Sequence, residues 1–147
     1  MRALAPITDD EFEDLMAPLG PFEPAPLLAI AVSGGPDSMA LVWLAERWAA
    51  VRSGAAVALI VDHGLRPESA EEARVAAAAL AAIGIAADIR RIPGAPPDSG
   101  RSAWARQERY RLLVAAAQER GALHLLLGHH RDDQAETFQL NLDRGSG

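Results

Sequence analysis

The chain has 147 residues, of which half are hydrophobic and 23% are charged, so it can build one hydrophobic core and little more. It contains no cysteine, which excludes disulfides, thiolate zinc sites and iron–sulfur clusters held by these residues. The net charge of −6 argues against a strong nucleic-acid footprint for this chain on its own, because phosphate binding depends on clustered basic residues.

In chain order, Thr8 and Glu11 form a capping-box pattern that predicts a short first helix, and a proline-rich linker follows at 18–26. Short apolar runs then alternate with longer amphipathic stretches, which is typical of β-α units around a parallel sheet. The fold class predicted is therefore α/β, with an open parallel sheet and helices on both faces. We divide the chain into an N-terminal helix and linker at 1–26 and a ligand-binding domain at 27–147.

The predicted strands are 27–32, 56–61, 85–92 and 123–127, and the predicted helices between and after them are 38–51, 69–83, 103–120 and 133–142. Ser69 and Glu72 form a second capping-box pattern at the start of one of these helices. Ligands of open parallel sheets bind at the carboxyl ends of the strands. We therefore expect the junctions at 33–38, 62–64 and 128–130 to lie close together.

The first junction reads Ser33-Gly34-Gly35-Pro36-Asp37-Ser38. Two glycines let the backbone turn sharply, the following helix offers unpaired N–H groups, and the serines add hydroxyl donors, so this segment is suited to binding an anion such as pyrophosphate. A phosphate loop of the Gly-Lys-Ser/Thr type is excluded because all 14 basic residues are arginine. The simpler interpretation is an ordinary tight turn with Ser38 as the helix cap.

This hexapeptide resembles the Ser-Gly-Gly-x-Asp-Ser signature of the PP-loop ATP pyrophosphatases, which split ATP between its α and β phosphates. Three further segments are similar to tRNA(Ile)-lysidine synthetases within that superfamily. They are Val61-Asp62-His63-Gly64-Leu65-Arg66, Arg106-Gln107-Glu108-Arg109-Tyr110, and Gly128-His129-His130-Arg131-Asp132-Asp133-Gln134-Ala135-Glu136-Thr137. The first of them begins with aspartate where many relatives have histidine. The resemblance implies a sheet with strand order 3-2-1-4.

The resemblance also implies an activity: ATP adenylates the C2 carbonyl oxygen of the wobble cytidine of tRNA(Ile), and free L-lysine then displaces AMP to form lysidine. ATP and Mg²⁺ are the implied cofactors. In this interpretation the domain at 27–147 is a C-terminally truncated PP-loop ATP-binding domain, and the chain is a fragment of a larger enzyme that is inactive or weakly active alone. A homodimer is one assembly that the resemblance leaves open, and a cytoplasmic location without membrane contact is expected because no apolar run approaches the about 20 residues that span a bilayer.

Carried onto this sequence, the resemblance assigns ATP binding to the first two junctions and catalysis to charged residues near the nucleotide. The residues expected to bind ATP are Ser33, Gly34, Gly35, Pro36, Asp37, Ser38, Asp62 and His63. The expected catalytic residues are Asp37, Arg106, His130 and Asp133, with Asp37 and Asp133 as Mg²⁺ ligands. Roles for His129, Asp132 and Arg109 stay open.

Structural interpretations of the same residues remain open. Asp62 and His63 could form only a helix-entry turn, and Arg66 could reach a phosphate or remain a solvated charge. Asp133 and Glu136 match a helix cap, and a zinc site is disfavoured because no distant further ligand is evident. For Arg109 the alternative is a surface ion pair with Glu108 or Glu119.

Two other functions remain as alternatives. One is an amidating or thiolating PP-loop enzyme, although the thiolating kind generally depends on cysteine pairs that this sequence lacks. The other is a non-catalytic nucleotide-binding module of the universal stress type, whose glycine-rich phosphate segment near the C-terminus is absent here.

Overall fold

The structure, a computed structural model, describes residues 7–33, 36–129 and 134–139. Its sheet contains four parallel strands, which are β1 (Leu27–Val32), β2 (Ala55–Asp62), β3 (Ala86–Arg91) and β4 (His124–His129). The strand order is β3-β2-β1-β4, and a fifth strand, β5 (Gln134–Gln139), pairs antiparallel with β4. The predicted parallel fold and strand order are therefore confirmed.

Helices cover both faces of this sheet. They are α1 (Asp9–Met16), α2 (Pro36–Val51), α3 (Ser69–Ala82) and α4 (Arg101–Glu119), with a short 3₁₀ turn at Ala17–Leu19. The first three pack on one face and α4 packs on the other, so β1 and β2 are covered on both sides. This double cover explains why these two strands are continuous apolar runs in the sequence.

Helix α1 is part of the main core. The predicted capping box is present, because the Thr8 N–H donates to Glu11 and the Glu11 N–H donates to the Thr8 hydroxyl. Phe12 and Met16 are fully buried against α2, and the Trp48 indole N–H donates to Glu13 at 2.9 Å. The chain ahead of the first strand thus contributes directly to the packing of the sheet.

The C-terminal end of α4 is held against β3 by a network of ion pairs. Asp88 accepts hydrogen bonds from Arg90 at 2.8 Å and from Arg120 at 3.0 Å, and Arg90 also donates to Glu119 at 2.9 Å. The hydrogen bonds from Arg90, together with those from Arg120, hold the pKa of Asp88 below its usual range. The network thus links the C-terminal end of α4 to β3.

Two predictions of local structure are wrong. The segment predicted as a helix at 133–142 contains β5, where pairing with the edge of β4 and the strand preference of Thr137 and Phe138 outweigh helical propensity. The capping box predicted for Ser69 and Glu72 does not form, since Glu72 accepts from Arg66 instead and α3 begins after Glu68 without a side-chain cap.

A buried histidine lies at the opposite edge of the sheet from the strands' carboxyl ends. His124 is 2% exposed, and the centre of its ring lies 4.4 Å from that of Phe22, with the two rings tilted at 42°. Within the described residues, its two ring nitrogens and Glu23 Oε1 are the buried side-chain atoms that lack a hydrogen-bond partner, with Nδ1 and Oε1 3.9 Å apart. Burial lowers the pKa of His124, and the charge of Glu23 opposes that shift in part.

We expect His124 to make the protein sensitive to acid. Because its pKa is lower in the folded state than the ordinary 6.5, the unfolded state binds the proton more readily, and stability falls as pH drops below about 6.5. Urea unfolding between pH 5 and 8 should show a weaker pH dependence for His124→Leu than for the wild type. Identical slopes in the two proteins would contradict this assignment.

Candidate active site

The loop between β1 and α2 is closed by its two serines. The backbone N–H of Ser33 donates to Ser38 Oγ at 3.0 Å, and the two hydroxyl oxygens are 3.2 Å apart. Helix α2 begins at Pro36, so Ser38 lies within its first turn and bridges back to the strand, which differs from the helix cap of the simpler interpretation. Ser38 is 8% exposed, whereas Ser33 lies at the surface.

This loop has the features of an anion site. Helix α2 is 16 residues long and starts at the carboxyl edge of the sheet, where its first N–H groups and its positive dipole end favour a negative charge. Gly34 and Gly35 lie outside the described residues, as do the side chains of Pro36 and Asp37. Their assignment to phosphate and Mg²⁺ therefore stays a prediction.

At the end of β2, Asp62 and His63 both build the turn that leads into α3. Asp62 is 5% exposed and accepts the N–H of Gly64 at 3.0 Å, while His63 Nδ1 accepts the N–H of Leu65 at 3.0 Å. Gly64 has a φ of +69°, a conformation that favours glycine. Both side chains thus have a structural role in the turn, and the predicted contact with ATP stays a prediction.

The end of β4 is brought next to the phosphate loop by strand register. Leu28 of β1 pairs with His124 and Ile30 pairs with Leu126. The same register, continued along both strands, places the end of β4 beside the end of β1. His130 and Asp133 lie outside the described residues, and their catalytic and metal-binding roles stay predictions.

On α4, the two arginines near the candidate site, Arg106 and Arg109, differ in burial. Arg106 is exposed, and its guanidinium lies 6.0 Å from the centre of the Tyr110 ring. Arg109 is partly buried, and burial lowers its pKa. The ion pairs considered for Arg109 are absent, because Glu108 pairs with Arg111 and Glu119 pairs with Arg90.

A metal site is not evident in the part of the chain that the structure describes. Among residues 7–33, 36–129 and 134–139, no three His, Asp or Glu side chains come together as a metal site. The two carboxylates predicted to bind Mg²⁺ lie outside the described side chains, and their role stays a prediction. None of the described helices is long and apolar enough to cross a membrane.

Comparison with known proteins agrees with this geometry. The PP-loop domain family matches residues 5–147. The tRNA(Ile)-lysidine synthase of Bradyrhizobium sp. (strain BTAi1) is 49% identical over 144 residues, covering 97% of this chain and 39% of the relative. That of Rhodopseudomonas palustris is 51% identical over 125 residues, covering 84% of this chain and 36% of the relative.

A solved structure has the same fold. It is the U34-tRNA thiolase NcsA from Methanococcus maripaludis, solved with its 4Fe-4S cluster. The TM-score is 0.71, and the match covers 82% of this chain and 45% of the thiolase chain. At 20% identity, this likeness concerns the fold alone. Since the family match includes nearly every residue, the chain belongs to the PP-loop domain family. It spans less than two fifths of the two curated relatives named above, both of which are tRNA(Ile)-lysidine synthases.

Proposed function

We propose that this chain supplies the ATP-binding part of an enzyme that ligates L-lysine to C2 of the wobble cytidine of tRNA(Ile). The observation that carries the proposal is the 49% identity to a tRNA(Ile)-lysidine synthase over 97% of the chain. The strand, serine-closed loop and helix that lead from β1 into α2 add support, because such an arrangement suits a pyrophosphate group.

In the first step of the proposed reaction, the C2 carbonyl oxygen of the cytidine attacks the α-phosphorus of ATP and pyrophosphate leaves. The 33–38 loop would hold the β and γ phosphates so that the leaving group is fixed in line with the attacking oxygen. Arg106 would stabilise the charge that develops on the α-phosphate. Arg109 is a second cation on the same helix, and its partial burial would strengthen its action on a nearby anion.

In the second step, the lysine amine attacks C2 of the adenylated base and AMP leaves. Only a neutral amine is nucleophilic, so the ammonium must lose one proton before attack and the new C–N bond must release another. Asp133 would bind the amine and His130 would contact the base or the reacting phosphate. Neither step needs a covalent enzyme nucleophile, which is compatible with a chain that lacks cysteine.

Mg²⁺ fits the predicted donor set, since carboxylate and phosphate oxygens are the ligands it prefers. Asp37 and Asp133 would hold it, and when bound it would offset the negative charge of the triphosphate. Asp37 follows the glycine pair at the start of α2, so its backbone position is next to the phosphate loop.

The substrate on which pyrophosphate release depends distinguishes the proposed reaction from its alternatives. Pyrophosphate release by the intact protein should depend on tRNA(Ile), and the adenylated tRNA should be consumed when lysine is added. A tRNA with uridine at the wobble position is the matched control and should give background release. Stimulation by ammonia with a small metabolite, or by a sulfur donor with tRNA, would support an amidating or thiolating PP-loop enzyme instead. ATP binding without pyrophosphate release under any condition would indicate a non-catalytic nucleotide-binding module.

The proposed reaction also suggests a cellular location and an assembly to test. Its substrates are ATP, free lysine and tRNA, and we place it in the cytoplasm, where all three occur together. A homodimer is the assembly we would test first, by sedimentation velocity with and without tRNA.

A further inference from the structure

A polar cavity lies at the carboxyl edge of the sheet, next to the proposed nucleotide site. It has a volume of about 360 Å³ and is formed by the 64–67 turn together with Asp62, Ala70 and Arg91. Asp62 and Arg91 are register partners at the last pair of β2 and β3. The cavity is therefore anchored on two strand ends and is not merely a gap between surface side chains.

The cavity is more positive than the rest of the chain. Its ionisable lining residues are two arginines, Arg66 and Arg91, and one aspartate, Asp62. The whole chain carries a net charge of −6. Asp62 is 5% exposed, and its Oδ1 is already engaged as the acceptor of the Gly64 N–H in the turn. An anion is the ligand class that this lining favours.

Both guanidinium groups can bind a further anion. Arg91 is 70% exposed, and its closest acidic atom, Asp62 Oδ2, is 3.8 Å away, which is too long for a hydrogen bond. Arg66 donates to Glu72, but both side chains of that pair are more than half exposed. Exposed pairs of this kind contribute little to stability, so a phosphate can replace the glutamate as the partner of Arg66.

Position separates this cavity from the phosphates of ATP. Strands β1 and β3 lie on either side of β2, so their ends are about 10 Å apart at the usual strand spacing. The loop after β1 is the proposed site for the β and γ phosphates, and an anion beside Arg91 would be a different group.

We propose that Arg66 and Arg91 bind a backbone phosphate of the RNA substrate and thereby orient the RNA relative to the nucleotide site. The inference rests on the proposed function, because the RNA is the tRNA substrate of that reaction. Arginine is suited to this role, since its planar fork of donors matches phosphate oxygens. Phosphate contacts of this type set position and orientation but read no sequence.

The test compares the double variant Arg66→Gln/Arg91→Gln with the control Arg74→Gln/Arg111→Gln, in the intact protein. The control also removes two exposed arginines, each paired with a glutamate three residues earlier. Binding of tRNA is measured by filter retention from 50 to 200 mM salt, and the KM for ATP is measured separately. The cavity variant should bind tRNA about tenfold more weakly at low salt, and its slope of log K against log salt should be shallower by about 1 to 2. The control and the KM for ATP should change less than twofold.

Equal losses of tRNA affinity in both double variants would overturn the inference, because bulk charge would then explain the effect. A raised KM for ATP with an unchanged salt slope would also overturn it and would assign the cavity to the nucleotide. A third outcome separates the two proposals. If the wild type binds tRNA but forms no lysine-dependent product, and only the cavity variant binds tRNA more weakly, the proposed function is refuted and the RNA contact is supported.

Discussion

Replacing Asp37 with asparagine should lower the rate of AMP formation by roughly 10²-fold or more. The predicted role of this carboxylate is to bind Mg²⁺ at the triphosphate, and a bound metal ion contributes several kcal/mol of charge stabilisation in the transition state. Asparagine keeps the size of the side chain but removes the negative charge. The measurement is the steady-state release of AMP in the presence of tRNA and lysine, with the Mg²⁺ concentration varied.

Asp98→Asn is the matched control for this prediction, since Asp98 is an exposed residue in the loop between β3 and α4. It should change the rate less than twofold. Higher Mg²⁺ should partly restore the Asp37→Asn variant if the lost interaction is with the metal. A rate for Asp37→Asn within twofold of the wild type would remove Asp37 from the site.

Replacing Phe12 with alanine should destabilise the protein by about 3–5 kcal/mol, the range seen when a buried phenylalanine is truncated. Phe12 is 2% exposed and belongs to the core cluster formed with α2 and the sheet. The ion pairs between α1 and α2 cannot compensate, because the Arg47–Asp9 pair is exposed and contributes little. Urea unfolding followed by tryptophan fluorescence would measure the loss.

Leu15→Ala tests the same helix at a position that is 39% exposed. It should cost less than about 1 kcal/mol, as is usual for substitutions away from the core. If both variants lost the same small amount of stability, α1 would be an appendage to the fold and not part of its core.

The sequence was sufficient to predict the sheet because the buried strands leave a strong signal. The apolar run at 27–32 coincides with β1, and the run at 56–61 lies within β2, where both faces of the sheet are covered and polar residues are excluded. The residue types at 33–38 also placed a loop between a strand and a helix, and the structure has β1 before this segment and α2 beginning within it.

Local competition between side chains was not visible in the sequence. Glu72 is spaced correctly for a capping box, yet in the fold it accepts from Arg66, which a turn brings within reach. The segment after β4 has helical character in sequence, but a free strand edge is available to it only in the folded sheet. Both errors arise from tertiary contacts, which propensity and spacing do not contain.

Sequence spacing also does not give the burial or the hydrogen bonds of the candidate-site residues. The helix period places Arg106 and Tyr110 on one face of α4, but it does not tell how deeply each side chain is buried. Arg109 proved to be the partly buried arginine of the two, and no spacing rule distinguishes it from Arg106. Asp62 and His63 each accept a backbone N–H in the turn after β2, and only the coordinates reveal these hydrogen bonds.

A crystal structure of the intact protein with a non-hydrolysable ATP analogue would test the central claim most directly. The account predicts that the β and γ phosphate oxygens accept hydrogen bonds from the backbone N–H groups of Gly34 and Gly35 and from the Ser33 and Ser38 hydroxyls, at about 3 Å. A nucleotide bound elsewhere, with the amides of the glycine pair bonded to protein atoms, would contradict it.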